Sequence, residues 1–294
     1  MSRSKKSDNQ MTEGAFALLD CLGFKGIWNR TPPNEILSKL KELNNWCSGT
    51  INPGFEVLAP SCDHNLKIKI VLLSDTVAIS IKYAERVEHA ELPAFLVAYA
   101  VGLIILINQR FAFEKPCIPL RGSVSYGMHF TDDRFILGPA VDRAAENEKL
   151  ADGAFIWLDP RAEELMSDYY AIANAVYEKF DFSKIRNYKE FSRQEKARKI
   201  GVVKAGAEPF TIDYSMPLKG GARLRCAVVN PLYHMSKKKQ QNSLNDLFLA
   251  MDSQLIDVVV KKQNTFEYLN RAAEVTNHFW KTVKQFSRSS LKQS

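Results

Sequence analysis

The stretch Ala17-Leu18-Leu19-Asp20-Cys21-Leu22-Gly23-Phe24-Lys25-Gly26 decides how this chain is read. An apolar run from Ala15 to Leu19 stops at Asp20, and Gly23 and Lys25 follow as a turn. The pattern predicts a buried strand that delivers one carboxylate to the rim of a sheet. A second carboxylate, Asp75, lies in IVLLSDTVAISI, residues 70–81. There Ile70–Leu73 and Val77–Ile81 read as two strands joined through Ser74-Asp75-Thr76. Two aspartates at the tips of neighbouring strands can share hard cations, because Mg²⁺ and Mn²⁺ prefer carboxylate and phosphate oxygens. Each aspartate alone also reads as an ordinary turn or cap residue.

With 294 residues, 46% hydrophobic and 25% charged, the chain is long enough for one large domain or a main domain with an appendage. A formal charge of +7 suits anionic ligands. The positive charge concentrates slightly at Arg3–Lys6, Lys237–Lys239 and the last dozen residues. No helix-turn-helix, zinc-finger or RNA-binding signature accompanies it, so it reads as solvated surface and no direct nucleic-acid partner is expected. Five scattered cysteines without a CxxC pair point to a reducing compartment, and five dispersed histidines argue against a zinc site. The polar start MSRSKKSDNQ lacks the apolar core of a signal peptide, so a cytoplasmic location is expected. The apolar segment Leu92–Ile107 is shorter than the ~20 residues that cross a bilayer. It predicts a helix buried against a sheet, with no membrane partner.

Taken in order, Thr31-Pro32-Pro33-Asn34 opens a helix with Pro32 at its first position and Ile36, Leu37, Leu40 and Leu43 at helical spacing. Cys117–Gly127 reads as a strand, and Gly138-Pro139 starts a helix with Val141, Ala144 and Ala145 inward. On that helix Asp142, Glu146 and Lys149 share the opposite stripe. Ala154–Leu158 is a short buried strand, and Asp159-Pro160 caps the helix after it. The segment near 181–207 is highly charged and expected at the surface. A hairpin then turns at Gly220-Gly221. Ser236–Ser243 reads as a polar connector before two amphipathic helices. The first carries Leu244, Leu247, Phe248, Met251, Leu255 and Val258. The second carries Phe266, Leu269, Ala273, Trp280 and Val283, with Thr276 the one polar residue on that face.

The ordered set LLDCLGF, SD, LRGSVSYG and GPAVDRAAENEKLA resembles the class III nucleotide cyclase catalytic domain over roughly residues 14–160. Within that family, ALLDCLGFKGIW looks most like the stand-alone bacterial pyrimidine cyclases of the Pycsar anti-phage system. The resemblance implies an α+β fold with a ferredoxin-like cyclase core and additional C-terminal helices. It also implies a catalytic domain over residues 13–235, a helical extension over 236–286, and disordered ends at 1–12 and 287–294. Asp20 and Asp75 match the metal ligands, the Cys21 carbonyl matches a backbone ligand, and Phe24 completes the D-x-x-G-F context. Two divalent cations, Mn²⁺ or Mg²⁺, are implied per site. The implied reaction is attack of the ribose 3′-hydroxyl on the α-phosphate with loss of pyrophosphate. Purine-specific relatives carry a lysine and an aspartate where this chain has Val71 and Phe135. That difference implies a pyrimidine substrate, and the resemblance to a family with more uridylate than cytidylate members implies UTP before CTP. Where the family often has asparagine and arginine on its helix, this chain has Asp142 and Glu146. A cation from Arg143, Lys219, Arg223 or Arg225 is then needed to oppose transition-state charge, with Lys219 the leading candidate because it precedes the Gly220-Gly221 turn. Arg121 reads either as a family-like position or as a tie between a sheet edge and a carboxylate. A homodimer with composite sites, and a separately encoded effector activated by the cyclic product, are also implied. A purine cyclase and an inactive nucleotide-binding module are the alternatives.

Overall fold

The structure is a computed structural model that describes residues 11–24, 27–29, 31–49, 66–83, 90–132, 135–179, 192–205, 209–251 and 256–293. Strand β1 (Thr12–Cys21) leads to helix α1 (Pro33–Gly49), then to the hairpin of β2 (Leu66–Leu73) and β3 (Thr76–Tyr83). Helix α2 (Leu92–Phe113) returns the chain to β4 (Leu120–Thr131). These four strands lie in the order β2-β3-β1-β4 with every neighbouring pair antiparallel. Two strand–helix–strand units interleaved in that order are the ferredoxin-like arrangement. The α+β class and the ferredoxin-like core expected from the sequence are therefore what the chain adopts.

Beyond β4 come the two-residue β5 (Ile136–Leu137), α3 (Pro139–Glu148), β6 (Ile156–Leu158) and α4 (Pro160–Glu178). Then follow α5 (Arg193–Ala205), β7 (Thr211–Pro217), β8 (Arg223–Val229), α6 (Lys237–Ala250) and α7 (Ile256–Gln293). Strand β6 pairs parallel with β4, and β8 and β7 extend the same sheet. Asp159 caps α4 as expected, its carboxylate accepting the Ala162 N–H at 2.8 Å.

Side-chain alternation divides the molecule into layers. Ala15, Ala17, Leu19 and Cys21 of β1 point into a core shared with α2 and α4, while Phe16 and Leu18 pack on the other face against Ala140 and Ala144 of α3. The apolar segment at Leu92 is buried in this core, as expected, rather than lying at the surface. On the outer strands, Trp157, Ile212, Met216, Cys226 and Val228 face the C-terminal helices through Leu247, Tyr268, Leu269 and Ala272. Thr276, the polar residue on that stripe, is buried because its hydroxyl accepts from Asn230 Nδ2 at 3.0 Å.

Several local expectations are corrected. Helix α1 opens at Pro33, and Ile36 and Leu40 face the core while Leu37 is exposed; the Leu43 side chain lies outside the described residues. On α3, Ala140 and Glu148 join Ala144 inward and Val141 packs against the same cluster, whereas Ala145 lies outside it. The charged segment near 181–207 contains α5, which packs along α7; residues 180–191 and 206–208 lie outside the described residues. The supposed connector at Ser236–Ser243 is the first half of α6, with Ser236 as its N-cap. Leu255 and the Val258 side chain lie outside the described residues. Helix α7 runs past Ser287 to Gln293, and within it the Ser287 and Ser290 hydroxyls donate to the carbonyls of Val283 and Phe286. At the other end β1 begins at Thr12, and residues 1–10 lie outside the described residues.

Candidate active site

Asp20 is the penultimate residue of β1, and Asp75 sits in the two-residue turn between β2 and β3, where Ser74 has a φ of 62°. Antiparallel pairing sets Asp20 opposite Thr76, and the Cys21 N–H donates to the Asp75 carbonyl at 2.9 Å. The two acids therefore leave adjacent strand ends side by side. Asp20 shares its parity with Phe16 and Leu18, so its carboxylate emerges on the α3 face of the sheet.

A guanidinium completes this corner. Arg121 faces Asp20 across the β1–β4 ladder, donating from Nε to Asp20 Oδ2 at 3.0 Å, with Nη2 2.8 Å from the same oxygen as an ion pair. On its other side Arg121 Nε lies 2.8 Å from Glu148 Oε1. That oxygen has no hydrogen-bond partner among the described residues, so the contact is ionic rather than directed. Glu148 ends α3 on its inward face, and burial, opposed by the Arg121 charge, raises its carboxyl above the usual range. The β7–β8 hairpin closes the corner: Lys219 N–H donates to the Leu150 carbonyl at 3.0 Å, directly after α3. Partial burial and then the neighbouring Arg121 charge lower the Lys219 ammonium, while Glu148 acts in the opposite sense. Gly220 and Gly221, at φ 94° and 88°, form the tight tip that the sequence indicated.

The structure thus gathers Asp20, Asp75, Cys21 and Lys219 and adds Arg121 and Glu148. Arg121 takes the role of a tie between strand and carboxylate that the sequence left open. Glu148 was missed; its signal was the Ala140-Ala144-Glu148 spacing on the inward face of α3. The Cys21 thiol points into the core, where burial and the charges of Asp20 and Asp75 push it up to about 12. Only its carbonyl is available at the site, and that oxygen also receives the Phe24 N–H at 3.3 Å.

The remaining candidates lie elsewhere. Phe24 packs at the core's edge and meets Trp28 edge-on, with ring centroids 5.8 Å apart. Val71 and the neighbour of Phe135, Ile136, flank the small cluster under α3. Phe135 itself is 58% exposed and follows the far end of β4 from Arg121, roughly 30 Å along the strand. Asp142 and Glu146 are exposed on the outer face of α3. Arg143 is engaged structurally, donating to Asp159 at 3.2 Å and to the Tyr126 carbonyl at 2.7 Å. Arg223 bonds the Ser215 carbonyl and Arg225 the Asp213 carboxylate, both along the hairpin.

Oxygen donors on two strand tips fit a hard divalent cation, which would complete its shell with the Cys21 carbonyl, water and phosphate oxygens. Among the described residues no group of three or more His, Cys, Asp or Glu side chains converges, so the protein alone offers no closed cage.

No protein-family model and no curated protein matches this sequence. Among solved structures the chain is similar to the monomeric guanylyl cyclase domain of the RhoGC fusion protein from the aquatic fungus Blastocladiella emersonii. That match has 16% identity and a TM-score of 0.38 over 54% of this chain and 90% of the other. It is also similar to the catalytic core of a rhodopsin-guanylyl cyclase with converted specificity in complex with ATPαS, at 14% identity and a TM-score of 0.40 over 75% and 98%. A third likeness is to an adenylate/guanylate cyclase/hydrolase from Silicibacter pomeroyi, at 14% identity and a TM-score of 0.35 over 74% and 95%.

Proposed function

We propose that this chain is a nucleotide cyclase that converts a pyrimidine nucleoside triphosphate, UTP before CTP, into its 3′,5′-cyclic nucleotide and pyrophosphate. The observation that carries this reading is the pair Asp20 and Asp75 on adjacent strand tips, held together by the 2.9 Å Cys21–Asp75 backbone bond, with Arg121 and Lys219 beside them. Bound divalent cations would lower the pKa of the attacking hydroxyl and offset the triphosphate charge. Asp20 and Asp75 would hold them. With Asp20 on a cation, Arg121 would keep its ion pair with Glu148 and present guanidinium N–H groups to phosphate oxygens. Lys219, at an exposed hairpin tip, can approach the leaving phosphates.

Apolar Val71, on the α3 face of β2, cannot hydrogen-bond a base edge, which supports a pyrimidine over a purine. The sequence resemblance supports cytoplasmic second-messenger synthesis in anti-phage defence, with the product acting on a separately encoded effector. The second reading is a nucleotide-binding module without turnover, favoured by the acidic Asp142 and Glu146 on α3.

The test incubates the full chain with each of the four nucleoside triphosphates and Mn²⁺, with mass spectrometry of the products. Cyclic UMP or CMP is expected from the parent, and none from Asp20→Asn or Asp75→Asn at unchanged melting temperature. Product from ATP or GTP alone would establish the purine alternative. Bound but unconverted nucleotide would establish the module.

A further inference from the structure

A second electropositive cleft lies among α5, α6 and α7, sharing no residue with the corner at Asp20. It encloses about 530 Å³ and is lined by Arg198 of α5, His234 to Lys237 at the start of α6, and Asn277, Trp280, Lys281 and Lys284 of α7. Four of these side chains are cations, and no carboxylate lines the cleft among the described residues. The surrounding sequence repeats the bias. From Val275 to Gln293, α7 carries Lys281, Lys284, Arg288 and Lys292 and no acid, while α6 opens on Lys237-Lys238-Lys239. These are two of the basic concentrations that the site at Asp20 leaves unused. Like charges brought together from three helices repel one another, and an anion relieves that repulsion. The first turn of α6, capped by Ser236, adds the positive end of a fourteen-residue helix.

The cleft also has an aromatic wall. Trp280 is half-buried, with the Arg198 guanidinium 5.6 Å from its ring and the His234 ring 5.7 Å away at 35°. The Asn277 amide on this wall donates to Gln240 Oε1 at 3.3 Å. Cations for phosphate and a flat ring for a base occur together in a volume of nucleotide size.

We propose that this cleft binds a nucleoside polyphosphate, with the phosphates on Arg198, Lys237, Lys281 and Lys284 and the base against Trp280. A single-stranded nucleic acid uses the same chemistry over a longer track. A volume of about 530 Å³, within the range of small-molecule sites, favours the small ligand.

The experiment titrates the full-length Asp20→Asn protein in EDTA at ~150 mM salt with UTP, ATP, inorganic triphosphate and an RNA of about 20 nucleotides, followed by calorimetry. UTP, ATP and triphosphate are expected to bind, and the added pair Lys281→Glu/Lys284→Glu to weaken all three by about tenfold or more. Trp280→Phe is expected to preserve nucleotide binding. Trp280→Ala, checked for an unchanged melting transition, should weaken UTP and ATP and spare triphosphate. Equal affinity with and without the two charge reversals overturns the proposal. RNA binding without nucleotide binding overturns it in favour of a nucleic-acid surface. Metal-free protein lacking Asp20 makes the result independent of cyclase turnover.

Discussion

Arg121 lies 2.8 Å from a carboxylate oxygen of Asp20 and 2.8 Å from one of Glu148, so two acids compete for one cation at the candidate active site. Lys219 supplies a second cation nearby, whereas Arg223 and Arg225 are bonded to Ser215 and Asp213 on the hairpin. Under the cyclase reading, Lys219→Ala therefore reduces kcat roughly 100-fold, corresponding to about 3 kcal/mol of lost transition-state stabilisation. Arg223→Ala and Arg225→Ala should turn over like the parent, and steady-state assays of the three variants check this. His129 poses a separate, pH-linked expectation. It is fully buried, with Nε2 2.8 Å from Ser80 Oγ and Nδ1 3.0 Å from the Gly127 carbonyl, and burial lowers it from 6.5 to about 4. Between those values the unfolded chain has taken up a proton that the folded chain has not. This group's contribution to stability is thus complete above pH ~6.5 and is lost as pH falls towards 4, by up to about 3 kcal/mol. Urea unfolding at pH 7 and pH 5 should show a smaller acid loss in His129→Gln than in the parent. An identical loss would refute the assignment to His129.

At the scale of elements, Lys39 of α1 reaches the C-terminus of α2, donating from Nζ to the carbonyls of Phe111 at 3.2 Å, Pro116 at 2.6 Å and Glu114. It satisfies carbonyls that a helix end otherwise leaves to water and lies at the negative pole of the helix. Burial lowers its ammonium to about 8, so the fold keeps a cation there at a desolvation cost. Lys39→Met retains most of the apolar stem but strands the Glu114 and Pro116 carbonyls, while that of Phe111 keeps the Ile118 N–H at 2.7 Å, and should cost about 2–3 kcal/mol in urea unfolding. A change near zero would mean that water serves those carbonyls equally well. The same scale separates what the sequence discloses from what it conceals. Apolar runs ending in Asp20 and Asp75, and the Gly220-Gly221 turn, announce their elements because alternation and backbone freedom are local properties. Helix α5 was hidden by its charge, although Ser192 and Glu195 form a reciprocal capping box at 2.7 and 3.2 Å. Ser236 similarly caps a helix that opens on three lysines. Glu148 could not be tied to Arg121 from sequence, because only the packing of α3 across β1 and β4 brings them together. Nor could the parallel insertion of β6 beside β4 be read, since it is a non-local pairing.

Across the whole molecule, one chain gathers only part of what a cyclase needs. The acids, Arg121 and Lys219 share one corner, while Asp142 and Glu146 point outward from α3 and Phe135 follows the far end of β4. Apolar side chains are uncovered around that far end, with Met128 at 41%, Phe135 at 58% and Leu137 at 45% exposure. Such a patch suits contact with another polypeptide. Under the cyclase reading that polypeptide is a second copy, related by a two-fold axis so that the outer face of α3 meets the partner's acid corner. Neither half-site then works alone, and each dimer holds two. Mixing Asp75→Ala chains with chains carrying Asp142→Trp/Glu146→Trp, whose bulk blocks the approach of α3 to the partner's site, tests this, since each variant alone places a defect in both sites of its dimer. In a heterodimer both defects fall in one site and the other site is intact. Activity should return to roughly a quarter of the parent value in an equimolar mixture, because half the dimers are mixed and each has one working site. Subunit exchange is verified first by native mass spectrometry with one chain isotope-labelled. Exchange without recovered activity would show that α3 serves its own chain or none, and would remove the shared site.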